Sequence, residues 1–66
     1  MDIVVNGEEK RFAGAMTVAG LLSALALEPR KIAVERNLEI VPKSLYDAVK
    51  LTDGDCIEIV QFVGGG

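Results

Sequence analysis

Residues 53–66 read Asp53-Gly54-Asp55-Cys56-Ile57-Glu58-Ile59-Val60-Gln61-Phe62-Val63-Gly64-Gly65-Gly66. Asp-Gly-Asp predicts a turn whose central glycine takes a left-handed backbone, and the β-branched and aromatic run after it predicts a strand over 56–63. The strand gives way at once to three residues without a Cβ. Such a segment adopts nearly any φ/ψ and enters slots too narrow for other residues. Three extended residues reach roughly 10 Å. Two readings follow: a frayed end, as unanchored termini commonly are, or a tail that carries the Gly66 carboxylate from a folded body into another protein's active site.

Period-two alternation puts Ile57 and Ile59 on one face of this strand and Cys56, Glu58, Val60 and Phe62 on the other. The inner face needs an apolar cover, and the sequence supplies one upstream. Thr17 can cap a helix by accepting an orphan backbone N–H, and Val18, Leu21, Leu22 and Leu25 then fall at i, i+3, i+4 and i+7. Gly20 and Ser23 lie off that stripe, toward water. Pro29 disfavours helical geometry at Glu28, so the helix ends by Leu27. Ahead of it, Ile3-Val4-Val5 is followed by Asn6-Gly7, the strongest short hairpin signal, with 8–12 returning antiparallel. Behind it, Ile32-Ala33-Val34-Glu35 reads as a strand, Asn37 as a turn, and 38–41 as a short extended piece closed by Pro42. Residues 44–48 are ambiguous; a single helical turn there would let Leu45 and Tyr46 plug the end of the core. The order ββαββ, with one amphipathic helix across one face of a mixed sheet, predicts an α+β domain of β-grasp type. In that arrangement the last strand runs parallel to the first in the middle of the sheet.

At 66 residues the chain is expected to form a single domain over 1–66, with 64–66 as a flexible tail. A domain of this size buries only about 60% of its unfolded surface and is marginal. One cysteine cannot form an internal disulfide, which suits a reducing, cytoplasmic compartment. Cys56 is expected to fill core or sheet volume rather than to do chemistry. Seven basic residues stand against ten acidic, a net charge of -3, without a basic block to grip phosphates, so nucleic acid is not an expected partner. Nor is a membrane, because the longest apolar stretch, 18–27, is half of the roughly 20 residues that span a bilayer. Histidine is absent. Ser23 and Ser44 therefore lack an imidazole base, and Cys56 lacks both a His partner and a zinc-ligand set. No catalytic residue, metal or bound cofactor is expected.

These pieces, Val5-Asn6-Gly7, Thr17-Val18 with Leu21-Leu22, Asn37 before Ile40-Val41-Pro42, Asp53-Gly54-Asp55 leading into Ile57-Glu58-Ile59-Val60, and the Val63-Gly64-Gly65-Gly66 end, together resemble the ThiS family. Those proteins are ubiquitin-like sulfur carriers of thiamine biosynthesis. The resemblance covers the whole chain, and Cys56 departs from it where a plain apolar residue is more usual. It implies a cosubstrate rather than an enzyme. Gly66 would be adenylated by an E1-like, ThiF-type adenylyltransferase using ATP and converted to a thiocarboxylate with sulfur drawn from cysteine by a desulfurase. The carrier, a monomer when free, would then deliver sulfur to a ThiG-type thiazole synthase. Gly64 and Gly65 would give reach, and the outer sheet face would dock the partners.

Val60 and Phe62 are the docking candidates on that face, since an exposed apolar patch beside a functional terminus often marks an interaction site. Their alternative use is to cover a secondary core under 44–50. Glu58, Asp53 and Asp55 are expected to be solvated, with steering toward basic partners as the other possibility. Two related functions share the fold and the glycine end: the small subunit of molybdopterin synthase, whose members tend to be longer with prolines before the glycines, and a ubiquitin-like protein modifier. A binding module with an incidental tail is a third alternative.

Overall fold

The computed structural model describes residues 1–62. Strand β1 (Asp2–Val5) turns back through Asn6 and Gly7 into β2 (Glu8–Arg11). Both turn residues have positive φ, 49° and 82°, as the two-residue hairpin requires. Strand β2 is the edge of the sheet, and its sequence, Glu8-Glu9-Lys10-Arg11, is all charge. Charge on an edge strand discourages pairing with another chain.

Helix α1 (Val18–Ala24) begins at Thr17, whose Oγ1 accepts the Gly20 N–H at 3.1 Å. Val18, Leu21 and Leu22 are buried and Leu25 is half-buried, so the apolar stripe faces the sheet. Ser23 is exposed as expected, whereas Gly20 is half-buried beside Met16 and Thr17. The helix stops before the reach of Pro29. The Leu27 N–H bonds the Leu22 carbonyl and the Ala26 N–H bonds that of Ser23, with Ala26 left-handed at φ 58°. This is a Schellman ending with alanine where glycine is usual.

A 3₁₀ turn at Pro29–Lys31 leads into β3 (Ile32–Arg36). The next hairpin turns on Asn37 and Leu38, at φ 51° and 70°, and returns as β4 (Glu39–Val41). Leu38, expected to open the extended piece, is instead a turn residue, left-handed and 86% exposed. The ambiguous segment resolves into a 3₁₀ turn at Lys43–Leu45. Tyr46 plugs the core, but Leu45 does not: it is 45% exposed. A single-turn helix presents too few side chains inward to bury both neighbours.

Strand β5 (Cys56–Gln61) follows a turn with Gly54 at φ 89°. The sheet order is β2-β1-β5-β3-β4, with β5 parallel to β1 and antiparallel to β3. This is the β-grasp arrangement, and its core lies between α1 and the inner face of the sheet. Ile3, Val5, Ile32, Val34, Val41 and Ile57 meet the helix there, with Tyr46 and Leu51 closing the end. No helix among the described residues is long and apolar enough to cross a membrane.

Candidate functional site

The site is built on β5, the central strand, whose alternation is as the sequence predicts. Ile57 is fully buried and Ile59 half-buried toward α1, while Cys56, Glu58, Val60 and Phe62 are exposed on the other face. Two asparagines in left-handed turns fix this strand from opposite sides. Asn37 donates its backbone N–H to the Cys56 carbonyl at 2.8 Å, and its Oδ1 accepts the Cys56 N–H at 2.9 Å. Asn6 holds β5 further along. Its backbone N–H bonds the Ile57 carbonyl, and its side-chain amide then acts as one more strand residue. Oδ1 accepts the Ile59 N–H at 2.7 Å and Nδ2 donates to the Ile59 carbonyl at 3.2 Å. The Phe62 N–H, at the end of the described chain, bonds the Lys31 carbonyl at 2.9 Å. Residues 57–62 are thereby fixed to the body of the domain. Gly64, Gly65 and Gly66, the predicted tail and modification site, lie outside the described residues.

Cross-strand register defines what surrounds the docking candidates. Ala33 stands opposite Val60 and Glu35 opposite Glu58, while Ile40 stands beyond Glu35 on β4. Val60 is 60% and Ile40 75% exposed. Phe62 is also open; its ring carries the Lys43 ammonium 5.1 Å from its centroid, a cation–π contact. Val60 and Phe62 therefore form part of an open apolar patch and do not cover a secondary core under 44–50. Glu35 and Glu58 are like charges side by side, an arrangement that disfavours the isolated sheet. Among the described residues neither makes an ion pair. Ile40 and Glu35 escaped the sequence reading, although alternation along β3 and β4 carries the signal once the strand order is known.

Two expectations need correction. Asp55 is not a solvated acid: it is 6% exposed. Its Oδ2 accepts Arg36 Nε at 2.8 Å and the Thr52 N–H at 2.8 Å, and its Oδ1 accepts Asn37 Nδ2 at 3.0 Å. Burial alone would raise the Asp55 pKa. The donors from Arg36, Thr52 and Asn37 outweigh it and hold the carboxyl below its usual range. Asp53 is exposed, as expected, and also accepts the Asp2 N–H at 2.6 Å, so both acids build the turn that starts β5. Cys56 fills no core volume, since it is exposed on the outer face opposite Val4. Among the described residues there is no group of three or more His, Cys, Asp or Glu arranged to hold a metal ion.

Comparison with known proteins follows the same lines. The ThiS family model matches residues 3–66. Sulfur carrier protein ThiS from Bacillus subtilis is 52% identical over 63 residues, covering 94% of this chain and 96% of that protein. Thiazole synthase from Paramagnetospirillum magneticum is 59% identical over all 66 residues, but this chain spans only 20% of its length. The crystal structure of the thiamine biosynthesis protein ThiS from Geobacter metallireducens is similar at a TM-score of 0.86 and 36% identity, with 100% of both chains covered.

Proposed function

Because this chain belongs to the ThiS family, we propose that it is a sulfur carrier for thiazole formation in thiamine biosynthesis, bearing its sulfur on Gly66. The observation that supports this reading is the setting of β5. The strand leading to the three glycines is the central one, clamped by Asn6 on one side and by β3 on the other. A rigid base makes the reach of a short tail reproducible, as a group entering another protein's active site requires.

A carboxylate is a poor electrophile at neutral pH. In the proposed cycle, an oxygen of the Gly66 carboxylate attacks the α-phosphorus of ATP in an E1-like, ThiF-type enzyme, and pyrophosphate leaves. A persulfide whose outer sulfur is drawn from cysteine by a desulfurase system then displaces AMP to give an acyl disulfide, and a thiol cleaves its S–S bond, releasing the thiocarboxylate and leaving a disulfide. That sulfur passes to thiazole synthase. The chain is a cosubstrate here: Gly66 reacts, Gly64 and Gly65 give reach and clearance, and catalysis and ATP belong to the partners. Val60 and Phe62 dock those partners, with the unpaired Glu35 and Glu58 beside them favouring a basic opposing surface. Thiazole synthase as a partner is supported by proteins of that name that include a stretch similar to this whole chain. The identity to a sulfur carrier ThiS favours thiamine over the molybdenum-cofactor and protein-modifier alternatives.

Intact-mass spectrometry after incubation with ATP and the ThiF-type enzyme tests the proposal. An adenylyl adduct at Gly66, replaced by one sulfur-for-oxygen exchange when the donor system is added, is the expected result. A terminus that stays unmodified with all partners supplied refutes it. The same spectrum reads whether the Gly66 carboxylate is free, which the chemistry demands.

A further inference from the structure

Backbone hydrogen bonding along β5 alternates between its two neighbours. The Phe62 N–H bonds Lys31 on the β3 side, whereas the carbonyl of Ile57 and both backbone groups of Ile59 are taken by Asn6 on the β1 side. By the same alternation Gln61 turns its N–H and C=O toward the β1 side. There β1 has already ended, at Val5, and its pairing with β5 reaches no further than Ile57. Among the described residues nothing bonds either group of Gln61 on that side. A central strand thus becomes an open edge over its last turn of pleat, immediately before the segment that carries the glycines.

Beside that edge lies a groove of about 420 Å³, bounded by Asn6 and Gln61. Its floor is apolar, made of Val5 and Ile59 from the sheet and Leu25 and Leu27 from the end of α1, where the short helix leaves the inner face uncovered. Glu8 and Lys10 stand at its margin and pair with each other at 3.8 Å. Open main-chain donor and acceptor on one wall, with apolar side chains beneath, are the two features an added β-strand uses: backbone bonds for affinity and a pocket for alternate side chains.

We infer that this groove receives an extended segment of the adenylating enzyme, which pairs with Gln61 as a continuation of β1 and lowers an apolar side chain over Leu25, Leu27 and Ile59. The inference rests on the carrier reading above. The four residues from Val63 to Gly66 span at most roughly 14 Å, so an enzyme that closes on Gly66 is brought next to this edge. Thiazole synthase is not the chosen occupant, because relatives of that name hold the similar stretch within their own chain and have proximity by covalent linkage. The separate activating enzyme has to recognise the carrier by contact alone.

Amide hydrogen exchange on the full chain, free and with the ThiF-type enzyme and ATP, reads Gln61 directly. Rapid exchange in the free chain and slowing of about tenfold or more in the complex are expected. Gln61→Pro removes the open N–H without removing a bond to β3; it should melt close to the unaltered chain and bind the enzyme about tenfold more weakly. If that variant fails to fold, exchange on the unaltered chain decides. A complex that adenylates Gly66 while Gln61 exchanges freely overturns the groove inference and leaves the carrier reading standing. Absence of both adenylation and binding overturns the two together.

Discussion

Replacing Asp55 removes a single carboxylate and strands three donors. Arg36 Nε, the Thr52 N–H and Asn37 Nδ2 all lie within 3.0 Å of it, and the group is 6% exposed. A hydrogen bond to a charged group contributes about 1.5–3 kcal/mol and a neutral one about 1 kcal/mol. Arg36 is 31% exposed at its side chain, so water recovers part of its loss. Asp55→Ala should therefore destabilise by about 2–4 kcal/mol. A domain of this length is stable by roughly 3–10 kcal/mol in all, so the fall in melting temperature should be at least about 10 °C. Asp55→Asn should not rescue it. An amide offers one acceptor oxygen and turns its NH₂ toward donors that the second carboxylate oxygen now satisfies. The pH dependence follows from a carboxyl whose folded pKa is depressed. Its stabilisation is fully present above the unfolded value of about 3.9 and is lost as pH falls through the lower folded value. Urea unfolding across that acid range should show a loss in the unaltered chain that is smaller in Asp55→Asn. Asp53→Ala, which loses one exposed acceptor, serves as control at under about 1 kcal/mol. An Asp55→Ala protein within about 1 kcal/mol of the unaltered chain would refute the argument that this buried acid holds the start of β5.

Ile57→Asp should unfold the domain, since an unpaired carboxylate in the core costs several kcal/mol, whereas Phe62→Asp should stay folded and bind the activating enzyme poorly; thermal melts and binding titrations separate the two. An unfolded Phe62→Asp protein would show that the outer face is structural. Cys56→Ser should retain thiocarboxylate formation with stability unchanged within about 0.5 kcal/mol, because the side chain is exposed; complete loss of sulfur transfer in the folded variant would assign the thiol a covalent role. Ala26→Gly should stabilise by up to about 1 kcal/mol, measured by urea midpoint, because it relieves a left-handed alanine at the end of α1. Destabilisation there would mean that flexibility in the unfolded chain outweighs the relief.

Local chemistry alone determined the order of elements. Asn6-Gly7 has to turn because few residues accept two successive positive φ angles, and Val18, Leu21, Leu22 and Leu25 have to share a face because a helix repeats every 3.6 residues. Alternation on β5 likewise placed Ile57 inward and Val60 and Phe62 outward before any neighbour was known. What sequence reading could not supply are bonds between distant residues. Asn6 was legible as a turn residue, but its side-chain clamp on Ile59 spans 53 positions. Asp55 looked like an ordinary acidic turn residue until Arg36 and Asn37, 19 and 18 positions away, closed over it. Cys56 is a different case: its residue type suggested buried volume, but the alternation already legible on β5 turns it outward, because its neighbour Ile57 takes the inner position. Tyr46 rather than Leu45 closes the core because one 3₁₀ turn directs successive side chains apart. Periodicity is a property of consecutive residues, so it survives into the fold unchanged; which polar groups become buried, and which strand edges stay open, depends on the packing of segments that the sequence keeps far apart.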